Sequence, residues 1–459
     1  MKKLMLTILA ALVFISSNAQ SIVSGPMLGY AEHTENLIWL QVKDVQQVSV
    51  KYTEQGKSEW NELALSATNS KEAQILKFVL TGLRMGTNYE YKILLDGKEM
   101  TFNYPLTFKT KKLWEWRTEA PDFSFLLGSC NYVNDTAFDR PGKPYGQGTN
   151  ILNYMAESGA DFMVWLGDNT YTREADFSSE SGMRYRYQHT RSDKNLQKLL
   201  ASMNHYATWD DHDYGDNDAN KHFWFKDISR KLFIDYWGNK IAGQNGEGIY
   251  HNFKWSDAEF FMLDDRWFRD ESELDEKINL KTQLGTKQLD WLKQSLAHSS
   301  AVFKFIVVGG QFLNTETDKE SFNLYIKERA EILKFITNNK INGVVFLSGD
   351  RHHTELLKYN IKYDDKDVVG FKTTGILNYP LYDLTSSPIS AGISNILKTK
   401  EATNPLRVEN TLMVDNNYCG IKISGKKGQR LLTISCYDKT GIVKWGYTIN
   451  ENELKVKLK

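Results

Sequence analysis

The chain has 459 residues, of which 41% are hydrophobic and 25% charged, and its 57 basic and 57 acidic residues leave no formal net charge. That balance excludes nucleic acid or an anionic membrane as the main electrostatic partner, and an aromatic content of 13% excludes a disordered chain. The length is too great for one ordinary core and predicts two units, of about 100 and about 330 residues.

The chain opens on Met1-Lys2-Lys3, an apolar run from Leu4 to Ile15, and the small residues Ser16-Ser17-Asn18-Ala19. This is the layout of a secretory signal peptide over residues 1–20, and it predicts a periplasmic or secreted protein. The apolar run is short for a bilayer, and no second stretch of membrane length follows, so no span is expected in the mature protein. Residues 21–110 read as all-β. Strand-like runs at Leu37–Val42, Val48–Tyr52, Ile75–Leu80 and Tyr89–Leu95 are separated by turn signals at Glu54-Gln55-Gly56 and Asp96-Gly97-Lys98. Leu80-Thr81-Gly82-Leu83 followed by Thr87-Asn88-Tyr89-Glu90-Tyr91 resembles the end of a fibronectin type III domain, which predicts a β-sandwich. Residues 111–122 form a charged, Trp-rich connector.

From residue 123 apolar strands alternate with helical segments, the pattern of an α/β unit over 123–459. Strands are expected at Phe123–Leu127, Phe162–Leu166, Phe260–Leu263, Lys304–Val308 and Val344–Leu347, and helices at Thr149–Ser158, Asp193–Met203, Phe223–Trp237 and Thr286–Ala297, the last with Thr286 as its N-cap. Phe177–Arg191 and Tyr214–Phe225 read as loops that shape a pocket, and residues 403–459 return to strands. Of three cysteines, Cys419 and Cys436 lie in β-like sequence and either pair or stand as separate thiols; Cys130 stands alone.

Three apolar strands each run into a small residue and then a metal-competent one: Gly128-Ser129-Cys130, Gly167-Asp168 and Ser348-Gly349-Asp350-Arg351-His352-His353. Ligands collect at the carboxyl ends of strands in α/β folds, and glycine there lets the chain turn sharply around an ion. Trp209-Asp210-Asp211-His212-Asp213 adds a dense cluster of carboxylates behind an aromatic lead-in, so these acids are expected inside, where they need a cation or donors. Cys130, Asp168, Tyr171, Asp210 or Asp211, Asp350 and His352 thus make a mixed S, O and N ligand set. Thiolate and phenolate suit Fe(III), carboxylates suit Ca, Mg or Mn, and two adjacent metals suit phosphoester hydrolysis.

Taken in order, Gly128-Ser129-Cys130, Gly167-Asp168-Asn169-Thr170-Tyr171, Trp209-Asp210-Asp211-His212-Asp213 and Gly349-Asp350-Arg351-His352-His353 resemble the PhoD-like alkaline phosphatases, a branch of the calcineurin-like metallophosphoesterases. Leu384-Thr385-Ser386-Ser387-Pro388 and Asn417-Tyr418-Cys419-Gly420 resemble the family's C-terminal segments. The resemblance implies two packed mixed β-sheets flanked by helices, preceded by the fibronectin III-like sandwich. It implies Cys130 and Tyr171 on Fe(3+), Asp168 bridging to Ca(2+), Asp350 and His352 on the calcium side, and one of Asp210 and Asp211 as a further ligand. His212, Arg266 and Asp211 are the implied catalytic residues. Hydrolysis of small-molecule phosphomonoesters or phosphodiesters by a metal-activated oxyanion is the implied reaction, with no specific nucleic-acid site. Two departures stand out: Asp213-Tyr214-Gly215-Asp216-Asn217-Asp218 is longer than the family's pattern, leaving the role of Asn217 open, and Arg351 and Glu355 flank the last motif. A periplasmic or surface binding protein with a degenerate metal domain is the alternative from another class, and a hydrolase using Cys130 as nucleophile is a third.

Overall fold

The computed structural model describes residues 20–67, 72–278, 280–315, 321–360 and 379–456; the expected signal peptide lies outside them, apart from Gln20. Two sheets face each other across the main core. One has nine strands, and its central part is Phe123–Gly128, Phe162–Leu166 and Asn204–Thr208, all parallel. The other has six, with Ala258–Met262, Phe303–Val307, Val344–Ser348 and Leu381–Thr385 parallel and an antiparallel strand at each end. Fully buried apolar runs suit parallel strands covered on both faces. Phe125 and Phe162 of the first sheet meet Phe260 of the second edge to face, at 5.1 and 5.4 Å, and Phe125 meets Phe305 at 5.4 Å. Burial of each such ring contributes roughly 1.5–3 kcal/mol, so these phenylalanines hold the two layers in one register.

The N-terminal segment forms two β layers. Ser21–Ala31, Glu35–Lys43 and Gln74–Thr81 face Asn61–Ser66, Gln47–Glu54 and Asn88–Leu95 over Ile38, Val48, Val50, Phe78, Tyr91 and Ile93. The first of these layers is not separate from the α/β unit. Ser21–Ala31, a strand the sequence pattern hides behind Gly25-Pro26 and Gly29, also pairs in parallel with Asn204–Thr208 and so completes the nine-stranded sheet. The buried Arg191 ties the junction: its guanidinium lies 3.8 Å over Trp237 and 5.8 Å over Trp39, and donates to Tyr236 O at 2.9 Å.

The expected α/β strands and helices all occur with ends shifted by a few residues; the helices run Ile151–Ala156, Lys194–Ser202, Lys226–Tyr236 and Gly285–His298. Thr286 is inside the last helix rather than its cap, and Thr282 Oγ1 accepts from Gly285 N instead. Phe177–Arg191 is mostly helix, Glu180–Arg191, not loop; its polar sequence hides a buried face of Met183, Arg186, Tyr187 and Thr190. Cys419 and Cys436 are free thiols directly opposite each other on paired strands. No helix among the described residues is long and apolar enough to cross a membrane.

The buried His205 carries a prediction. Trp165 Nε1 donates to its Nδ1 at 3.0 Å and its Nε2 lies 3.0 Å from Leu199 O, so the neutral ring with its proton on Nε2 satisfies both. Burial pushes its pKa down to about 3. A depressed histidine contributes stability that is present above the unfolded value of about 6.5 and lost as pH falls toward the folded one. His205→Gln keeps both hydrogen bonds without the titration. The stability advantage of wild type over this variant, measured by urea unfolding, should therefore shrink by about 2 kcal/mol between pH 7 and pH 5; a constant difference would contradict the neutral buried ring.

Candidate active site

The ends of the parallel strands from both sheets meet at one edge, and glycine makes the meeting possible. A Cβ on Gly349 would lie 2.7 Å from Leu166 O and 2.7 Å from Ser129 Cβ, so only glycine lets the second sheet's Val344–Ser348 strand end against the first. Cys130 N donates to Gly167 O at 3.4 Å and Asn131 N to Asp168 O at 2.9 Å, which fastens the first two strand ends together. Cys130, Asp168, Asp350 and His352 all adopt the left-handed backbone region, with φ of 55°, 51°, 63° and 54°. Each such non-glycine residue costs of order 1–3 kcal/mol, and such strain collects at functional sites.

Most of the expected set converges. Ligand atoms of Cys130, Asp168 and His352 lie within 4.8 Å of one another, as do those of Asp168, Asp211 and His212. Asp168 belongs to both groups, so it stands between two potential ion positions. Cys130 Sγ lies 3.6 Å from Asp168 Oδ2 and 3.6 Å from the backbone O of Asp350. Tyr171 Oη lies 3.2 Å from His352 Nε2 and is hydrogen-bonded to Cys130. The His212 ring stacks on Tyr171 with centroids 4.2 Å apart, and its backbone N donates to Asp168 Oδ1 at 3.3 Å.

The two adjacent aspartates part company. Asp211 accepts from two backbone donors, His212 N and Asp218 N, both at 2.8 Å. Asp210 is fully buried; Arg266 Nε donates to its Oδ1 at 2.6 Å, while Oδ2 is buried without a hydrogen-bond partner. Arg266 therefore pairs with Asp210, and its backbone N–H donates to Asp264 Oδ1 at 3.0 Å. Asp213 is the anchor of the loop after Phe162–Leu166, accepting from Asn169 N, Thr170 N and Asp210 N at 3.0–3.2 Å. Asn217 is exposed and its amide donates to Asp218 Oδ2. Arg351 pairs with Glu401, and Glu355 with Arg407; with His353 these two acids form a third dense group that their own arginines neutralise.

The electrostatics are those of a cation receptor. Burial first, then Asp211, Cys130, Asp213 and Asp350, hold the Asp168 carboxyl well above the usual range. Burial and Asp350 push the Cys130 thiol up to about 11 against the pull of hydrogen bonds from Ser387, Tyr171 and Ser129. Burial pushes Asp213 up to about 8, opposed by its backbone donors. Burial, then Asp168 and Cys130, raise Tyr171 well above an ordinary phenol. A thiol, a phenol, an imidazole and several buried acids whose charges oppose one another, together with the orphaned Asp210 Oδ2, fit one or more bound cations.

Several supporting residues escape the sequence reading. Ser387 Oγ donates to Cys130 Sγ at 3.1 Å and accepts from His352 N at 2.9 Å, so one hydroxyl orients two candidate ligands. It follows the strand Leu381–Thr385, so the same rule of a small polar residue after an apolar strand points to it. Asp383 interrupts that run, and its carboxylate is buried on Phe312 N, Leu313 N and Ser348 Oγ. The buried Arg186 donates from Nε to Tyr171 O at 2.6 Å and stacks over Tyr132 at 4.8 Å, fixing the backbone that carries the phenol. Ser387→Ala should lower metal affinity about 10–100-fold with little loss of fold stability, as read by competition with a chelator; unchanged affinity would make the hydroxyl only a packing element.

Residues 129–405 match the model of the PhoD-like phosphatase family, and residues 19–112 match a domain of unknown function (DUF7800). Alkaline phosphatase D of Bacillus subtilis (strain 168) is 25% identical over 309 residues, covering 58% of this chain and 53% of that relative, so the match spans about half the relative's length. A solved structure titled "Structure of PhoD" superposes with a TM-score of 0.72 at 16% identity, covering 93% of this chain and 92% of that one, and it shares the fold. With a family model matched over more than half of its residues, the chain belongs to the PhoD-like phosphatase family.

Proposed function

We propose that this chain is an exported, metal-dependent phosphoesterase that hydrolyses small-molecule phosphomonoesters, phosphodiesters or both. The observation that carries the reading is the convergence of Cys130, Asp168 and His352, with the backbone O of Asp350 3.6 Å from Cys130 Sγ, all four with backbone held in the left-handed region, at the meeting point of two sheets. Membership of a phosphatase family and likeness to a relative named alkaline phosphatase D support the same reaction class. The wider superfamily is the calcineurin-like metallophosphoesterases, with a fibronectin III-like sandwich over 21–110, a connector over 111–122 and a catalytic unit over 123–459. The layout of residues 1–20 supports export to the periplasm or medium.

Cys130, Tyr171 and Asp168 would hold Fe(3+), and Asp168, Asp350 and His352 would hold Ca(2+), with one of Asp210 and Asp211 as a further ligand. Bound cations supply Lewis acidity and neutralise the charge that develops on a transferring phosphoryl group. The chain's own contribution is positioning. Arg266 fixes Asp210 from behind, and Ser387 fixes Cys130 and His352. His212, whose ring stacks on Tyr171, would be the group to give a proton to the departing oxygen. The protein purified without added metal should contain bound metal and hydrolyse p-nitrophenyl phosphate or its bis ester. Bound metal without turnover of either ester would favour a binding protein, and absence of both would refute the reading.

A further inference from the structure

One aromatic residue at the site has no part in the chemistry above. Tyr145 lies in the segment between Phe123–Gly128 and Ile151–Ala156, and it is 45% exposed, unlike the buried tyrosines around it. Its ring meets Tyr132 edge to face at 4.9 Å, Tyr171 at 6.0 Å and His352 at 6.1 Å. Two of those neighbours, Tyr171 and His352, are candidate ligands, so the ring borders the cluster. Its phenol lies in the field of Cys130, Asp168, Asp211 and Asp350 together.

The ring is also held in place. Asn134 clamps the next residue twice, donating to Gly146 O and accepting from Gly146 N, both at 2.9 Å, and Gln147 N donates to Ser390 O at 2.6 Å. Arg173 pins the other limb of the segment through Asp135 at 3.3 Å and Asp139 at 2.9 Å. Gly392 makes room for it: a Cβ there would lie 3.0 Å from Tyr145 Cε2. Gly392 O in turn bonds the His352 ring, so the backbone that seats Tyr145 also aims a candidate ligand. A firmly mounted aromatic that is 45% exposed beside the cluster is a stacking platform, which favours flat, π-bearing groups over aliphatic ones of the same charge.

We propose that Tyr145 is a specificity-determining residue whose exposed ring binds the leaving group of aryl or nucleobase-bearing phosphoesters while the phosphoryl group sits on the adjacent cluster. The proposal rests on the phosphoesterase reading for the position of the phosphoryl group, and its test is a binding measurement that needs no turnover. Phenylphosphonate and methylphosphonate are titrated calorimetrically into the metal-containing protein as purified, and into Tyr145→Phe, Tyr145→Leu and Tyr145→Ala, with metal content measured for each. Wild type and Tyr145→Phe should bind phenylphosphonate about tenfold more tightly than methylphosphonate. Both Tyr145→Leu and Tyr145→Ala should bring that ratio to about two or below with metal content unchanged. A ratio that survives in Tyr145→Leu and Tyr145→Ala, or that Tyr145→Phe abolishes, overturns the stacking role. Failure of the wild type to hydrolyse any aryl phosphate would refute the phosphoesterase reading and leave the binding ratio to decide this one.

Discussion

Asp168→Asn is expected to abolish turnover and, in the metal-free protein, to raise thermal stability. Asp168 is the residue shared by both ligand-competent groups, so its charge is the one both ion positions would lose. Cations contribute several kcal/mol to the transition state of phosphoryl transfer, so kcat/KM should fall by about 10³-fold or more. The stability change has the opposite sign. Without a cation, the buried Asp168 faces Asp211, Cys130, Asp213 and Asp350, which hold its carboxyl well above the usual range. A raised carboxyl means that the folded state binds the proton more readily than the unfolded chain. The metal-free fold therefore loses stability as pH rises past the unfolded value of about 3.9 toward the folded one. An asparagine carries no such penalty, and its amide oxygen still accepts from His212 N. At pH 8, after chelation, Asp168→Asn should melt about 1–2 °C above the wild type, the shift that about 1 kcal/mol makes in a unit of this size. A variant that is both inactive and less stable when metal-free would mean that Asp168 is a structural acid and not a ligand.

The same reasoning shows which parts of the site the sequence can disclose. Cys130, Asp168 and Asp350 are legible because each follows an unbroken apolar strand and a small residue, and parallel strands buried on both faces leave no other way to write them. The choice between Asp210 and Asp211 is not legible, because Arg266, which is remote in sequence, is what fixes Asp210. Ser387 is hidden by Asp383, a buried acid that breaks the apolar pattern of Leu381–Thr385 yet is satisfied by two backbone N–H groups from a neighbouring loop. Ser21–Ala31 and Glu180–Arg191 are hidden for related reasons. The first carries Gly and Pro where periodicity is read, and the second buries arginine, whose Nε donates to a carbonyl and whose guanidinium lies over an aromatic face. Local pattern thus reports elements that bury apolar surface, and it fails where burial depends on a polar partner supplied from elsewhere in the chain.

Cys130 provides the second large effect. In the metal-free protein it is a fully buried thiol, pushed up to about 11 by burial and by Asp350. A thiol is a poor ligand, and the thiolate is the form that binds. Ligation near neutral pH must therefore displace the Cys130 proton, and each proton displaced makes the apparent affinity rise about tenfold per pH unit below the thiol's pKa. Chelator competition should show metal affinity climbing steeply from pH 6 to pH 9. Calorimetry in two buffers of different ionisation enthalpy should count the protons released on metal uptake. Cys130→Ala should release one proton fewer and show a slope lower by one. Cys130→Ser should behave like the alanine variant in slope, because a serine hydroxyl keeps its proton in this range. The wild-type protein with metal bound should also resist thiol alkylation at Cys130, which becomes reactive only after chelation and partial unfolding, since the side chain has no exposure in the fold. If wild type and Cys130→Ala release equal numbers of protons, the sulfur does not ligate, and the cluster must hold its cations by oxygen and nitrogen alone.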